Sequence, residues 1–108
     1  NIATVTLMAP SDVVYKCAIR AAQNLYWKVS TRDPVVKAFE AKASVRFINN
    51  KLGTIISVRD AGEGCSSVDV RSASASKLID GGLNALVIEN FITALKHTLV
   101  NRRIFEYC

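Results

Sequence analysis

The stretch "DVRSASASKLIDGGLN", residues 69–84, gathers the side chains best suited to hold a ligand. Arg71, Ser72 and Ser74 offer a cation and two hydroxyls, and Asp80, Gly82 and Asn84 then lead into an apolar helical pattern. The first N–H groups of a helix have no partner within it, and the aligned peptide dipoles make that end weakly positive, so such a junction can take an anion. The competing reading is a structural corner. There Asp80 caps the amides, Gly81 and Gly82 permit the turn, and Arg71 pairs with Asp69 or Asp80. No G-x-x-x-x-G-K phosphate loop is present. His97 is the single histidine, and nothing in the sequence brings it to Cys65 or supplies a group to orient such a dyad. The three cysteines, Cys17, Cys65 and Cys108, show no C-x-x-C spacing, which disfavours a zinc site. Cys17 reads as a small core residue, while a bridge between Cys65 and Cys108 stays open. The expectation is a non-enzyme with no metal and no cofactor.

The net charge of +5 is unevenly placed. Between Lys16 and Arg59 nine basic residues face two acidic ones, whereas from Asp60 to Leu95 Arg71 and Lys77 stand against five acids. Lys42, Arg46 and Arg59 are therefore candidates for a basic face, suited to an acidic protein, an anionic membrane surface or nucleic acid. A solvated face is the plainer alternative. No aromatic stacking pair is interleaved with these charges, so nucleic acid is disfavoured as a partner.

A chain of 108 residues with 50% apolar content supports one domain spanning 1–108 with a real core. The longest apolar region, Leu83 to Leu95, is interrupted by Asn84, Glu89 and Asn90, too soon to span a bilayer. The chain begins at Asn1 without a methionine, and a preceding segment carrying any targeting information is expected.

The elements that must position these residues follow from periodicity. Ile2 to Leu7 alternates as a strand. "APSDVVYKCAIRAAQNL" predicts a helix with Ser11 as N-cap, Asp12 in the first turn, and Val14, Cys17, Ala18, Ala21 and Leu25 on one stripe. "WKVSTRDP" predicts a strand that Pro34 stops at Asp33. "KAFEAKASVRF" is a strand with Phe39, Ala41, Ala43, Val45 and Phe47 on the buried side. "NNKLG" reads as a turn, "TIISVRD" as a strand, "AGEG" as a turn, and "SSVDVRSAS" as a strand with Val68 and Val70 inside. After Asp80 a long helix carries Leu83, Leu86, Val87, Phe91, Leu95 and Leu99 on its stripe. The fold class is α+β: a single antiparallel sheet in β-α-β-β-β-β-α order with two helices packed on one face. The tail "NRRIFEYC" follows the helix, and its Arg102, Arg103, Phe105 and Tyr107 are of the types that anchor interfaces.

Val70-Arg71-Ser72-Ala73-Ser74, then Asp80-x-Gly82-x-Asn84 opening a helix that continues to Ile88-Glu89, resembles the signature of domain-of-unknown-function family 1499, found in bacteria and plastids. The chain departs from it at Ala85, Leu86 and Val87, where the family carries arginines, and at Asn49 and Asn50, where it carries an acidic pair. The topology is also similar to the core of the Bet v 1/START-like and TATA-box-binding-protein folds. The resemblance implies an accessory or assembly subunit of a larger complex, membrane-bound and photosynthetic. Other protein subunits would be its partners and a plastid or thylakoid its location, with a bacterial cell or envelope as the alternative. The Bet v 1-like topology implies the rival function, a carrier of a small hydrophobic molecule or lipid. Against a large cavity, Trp27, Phe39, Phe47, Phe91 and Leu95 suffice to fill the interior at ordinary density.

Overall fold

The computed structural model describes residues 2–45, 48–73 and 83–106, with side chains for 2–43, 53–72 and 85–100. The elements are β1 (Ile2–Leu7), α1 (Ser11–Asn24), β2 (Lys28–Asp33), β3 (Ala38–Val45), β4 (Ile48–Asp60), β5 (Ser66–Ala73) and α2 (Leu83–Glu106). The five strands form one antiparallel sheet in the order β1-β5-β4-β3-β2. The predicted meander is thus β2 to β5, and β1 returns beside β5, as the expected α+β arrangement requires.

Alternation decides which face is buried. Phe39, Ala41 and Ala43 of β3, Thr54, Ile56 and Val58 of β4, and Ser66, Val68, Val70 and Ser72 of β5 all lie within a few per cent of complete burial. Both helices cover this face. α1 contributes Val14, Cys17, Ala18, Ala21 and Ala22, and α2 contributes Val87, Ile88, Phe91 and Leu95. At the centre the Trp27 and Phe91 rings stack, with centroids 5.6 Å apart and planes inclined by 23°. Tyr15 meets Phe39 edge-on at 6.2 Å. Ser66 is tolerated in the core because its hydroxyl donates to the Ala9 carbonyl.

Trp27 reaches the core through the way α1 ends. The Tyr26 N–H donates to the Gln23 carbonyl at 2.9 Å and the Trp27 N–H to the Ala22 carbonyl at 3.0 Å, the paired bonds of a Schellman cap. That cap needs a left-handed residue, and Tyr26 supplies it at φ 61° in place of the usual glycine. The strained Tyr26 is 91% exposed, while Ala22 and Trp27, the pair that accompanies such a cap, are both buried.

The structure corrects several local expectations. Ser11 is the first helical residue and not the cap. Pro10 stands at the cap in extended conformation with no side-chain bond, and its carbonyl accepts from the Val14 N–H at 3.0 Å. "NNKLG" is not a turn: β4 starts at Ile48, and Leu52 and Gly53 pair with Ala43 and Lys42 of β3. A register shift between Ser44 and Val45 closes this hairpin earlier, and pairing overrides the turn preference of the asparagines. On α2, Leu86 is 40% exposed and Ile88 takes the buried place. Arg102, Arg103, Ile104 and Phe105 belong to α2, which runs to Glu106, and do not form a separate tail. The turn at 61–65 is as predicted, with Gly62 and Gly64 at φ 116° and 72°.

Two outcomes follow from the core. Phe91→Ala removes the ring that Trp27 stacks on and lowers unfolding stability by about 3–5 kcal/mol, read as a lower urea midpoint at unchanged slope. Tyr26→Gly relieves the left-handed strain and raises stability by about 0.5–1 kcal/mol by the same measurement, against the unfolded-state entropy that glycine adds.

Candidate functional site

Residues adjacent in a strand point to opposite faces, and this separates the anion site expected from the sequence. Ser72 is fully buried on the helix-covered face, whereas Arg71 is exposed on the other. One ligand cannot use both side chains. Ser74, Asp80 and Gly82 lie outside the described residues. Asn84 stands in the first turn of α2, with its side chain likewise outside. Arg71 does not pair with Asp69. Asp69 instead holds Arg59, whose Nε lies 3.2 Å from its carboxylate, and accepts the Thr4 hydroxyl at 2.8 Å.

Of the basic-face candidates, Lys42 and Arg59 do share the uncovered face of the sheet. Arg59 is neutralised there by Asp69, and Lys42 has no ion-pair partner among the described residues. The side chains of Arg46, Arg102, Arg103, Phe105 and Tyr107 lie outside the described residues. His97 is an exposed residue of α2, and Cys65 is half-buried in the β4–β5 turn. No set of three or more histidine, cysteine or acidic side chains suited to a metal occurs among the described residues. No described helix is long and apolar enough to cross a membrane.

Described residues line two concavities. The larger is an open groove of about 590 Å³ between the edge strand β1 and α2. Ile2 and Ala3 line it from β1, and Ala85, Ile88, Glu89, Ile92, Thr93 and Lys96 from α2. Ala85, Ile88 and Ile92 recur at three- and four-residue intervals, and Ile88 also belongs to the core, so one helix serves core and groove together. The smaller, about 350 Å³, is a hollow on the uncovered face lined by Ser30, Glu40, Lys42, Gly53, Ile55 and Arg71. A glycine inside a strand is a signal for such an opening, and the turn preference of the N-N-K-L-G run masks it at Gly53.

The interior between the sheet and the helices is occupied. Where a curved sheet and terminal helix would enclose a ligand, Trp27, Phe39, Phe91 and Leu95 pack with at most 5% of their surface exposed.

No family model matches the chain, and no curated protein matches it in sequence. Solved structures do match in shape. The di-domain ARO/CYC StfQ of the steffimycin biosynthetic pathway superposes with a TM-score of 0.68 at 9% identity, over 88% of this chain and 43% of that one. The present chain thus spans less than half of that protein. The Zhui aromatase/cyclase from Streptomyces sp. R1128 superposes at 0.53 and 14% identity, over 96% of this chain and 94% of that one. The adenylate sensor from AMP-activated protein kinase, complexed with ATP, gives 0.67 at 13% identity, over 84% and 93%. At such identities the likeness is one of fold, and the chain has the helix-grip architecture of these cyclase-like structures.

Proposed function

We propose that the chain is a non-catalytic binding module that carries a small, uncharged hydrophobic molecule in the groove between β1 and α2. The observation that carries this reading is the groove itself. Its volume of about 590 Å³ falls in the range of roughly 300–1,000 Å³ usual for small-molecule sites. Ile2, Ala3, Ala85, Ile88 and Ile92 make up most of its lining, alongside Glu89, Thr93 and Lys96. The helix-grip fold is compatible with the reading, since structures of this shape include aromatase/cyclases, one from the steffimycin biosynthetic pathway. The filled interior moves the ligand to the flank of the grip.

A second reading, an accessory subunit of a protein assembly, draws on a different observation. Met8, Val35 and Val36 are 78%, 86% and 61% exposed. Strand register places them at the same end of the sheet, Met8 after β1 and the valines in the β2–β3 loop. That end of the sheet thus carries exposed apolar side chains at both edges, which a partner spanning the end would bury.

The two readings separate in solution. Nile red, an uncharged probe, gains fluorescence on the wild-type protein, and Ile92→Trp, which fills the groove from a half-buried position, abolishes the gain while leaving the far-ultraviolet circular dichroism unchanged. Uptake that survives Ile92→Trp rejects the groove as the site. Native mass spectrometry of protein isolated gently from its source then shows a discrete small-molecule mass on a monomer for the carrier. A stoichiometric protein assembly without that mass establishes the accessory subunit in its place.

A further inference from the structure

The uncovered face of the sheet is unevenly charged, and its cations converge where a side chain is missing. Lys42 of β3 stands directly opposite Gly53 of β4, and Arg71 of β5 lies diagonal to that glycine, opposite Ile55. By strand spacing and rise the Cα atoms of Lys42 and Arg71 are roughly 12 Å apart, a span that two long side chains can close from either side. Both are exposed, and among the described residues neither has an ion-pair or hydrogen-bond partner. This contrasts with Arg59 on the same face, which Asp69 holds at 3.2 Å. Between the two cations lies the hollow of about 350 Å³, and Ile55, 43% exposed, forms its apolar floor.

From this geometry we infer a second binding site, distinct from the β1–α2 groove: a receptor for a small organic oxyanion, a carboxylate or a phosphate ester, with an apolar body. Its anionic group sits between Lys42 and Arg71 over Gly53, and its body rests on Ile55. Arginine is suited to hold two oxygens of such a group through parallel N–H bonds, and lysine adds a point charge from the opposite side. Glu40, also in the lining, lies two residues from Lys42 along β3 and pairs across to Ile55. It selects against bare multivalent anions and offers an acceptor to a hydroxyl on the ligand. Lys28, opposite Lys42 on β2, keeps the local balance positive.

The test is a titration of the isotope-labelled protein, followed by amide resonances, with benzoate, phenyl phosphate, inorganic phosphate and uncharged benzyl alcohol. Benzoate or phenyl phosphate is expected to give saturable shifts at Lys42, Gly53, Ile55 and Arg71 that weaken with added salt. Lys42→Gln and Arg71→Gln each reduce the affinity about tenfold or more, the loss of one charge-assisted contact, whereas Arg59→Gln leaves it unchanged. Ile55→Ser removes the preference for the organic anion over inorganic phosphate. The proposal is overturned if the four amides show no saturable shift, if benzyl alcohol shifts them as benzoate does, or if inorganic phosphate binds the wild type as tightly as phenyl phosphate. It is equally overturned if Lys42→Gln and Arg71→Gln bind as the wild type does. All these positions are on the exposed face of the sheet, so the variants keep the core, and unchanged far-ultraviolet circular dichroism reports that they remain folded.

Discussion

The stack of Trp27 on Phe91 is the contact on which the rest of the molecule depends. It joins the end of α1 to the middle of α2, so the two helices are fixed to one another as well as to the sheet beneath. Large aromatic rings bury more surface than any other side chain, and an offset pair adds specific geometry to that burial. The two rings arrive by different routes. Phe91 follows from the helical period of α2. Trp27 needs the Schellman cap, hence a left-handed Tyr26, so a local strain at the surface is held in place by burial one residue later.

A centre closed in this way determines where recognition can occur. A helix grip that leaves space between sheet and helix binds inside. Here that space is filled, and among the described residues the open surfaces are the flank beside β1 and the face that no helix covers. The two differ chemically because the sheet and α2 present different periods. The groove is walled by one stripe of α2, rich in isoleucine and alanine. The hollow is assembled from alternate residues of four strands, where an outward position is free to be Lys42, Gly53 or Arg71.

Much of the architecture was legible because it rests on short-range pattern. Alternation in 39–43 and 66–72, the stop at Pro34 and the glycine turn at 61–65 each report a local cause, and the observed strands obey them. The misreadings arose where a distant partner decides. Asparagine and glycine in 49–53 suggest a turn, but the ladder with β3 carries β4 through them. Leu86 and Ile88 are both apolar, and only the position of α2 on the sheet makes Ile88 the buried one. The site was less legible still. Arg71 and Ser72 are neighbours in sequence and lie on opposite faces, whereas Lys42, Gly53 and Arg71 are far apart in sequence and meet through register. That register is set partly by the irregularity at Ser44 and Val45, which composition does not reveal.

The two edges of the sheet link the groove to the behaviour of the whole protein. β2, at one edge, carries Lys28, Arg32 and Asp33 and a register shift after Val29, features that discourage another strand from pairing there. β1, at the other, reads IATVTL, with no charge, proline or register shift. An uncharged edge of this kind is a template for a foreign strand unless something covers it. The groove runs alongside β1, and Ile2 and Ala3 belong to both. A molecule seated there would lie over the first residues of the exposed edge as well as the apolar wall of α2. Were the groove occupied as proposed, the same molecule would cover the apolar flank and remove part of the template for a foreign strand.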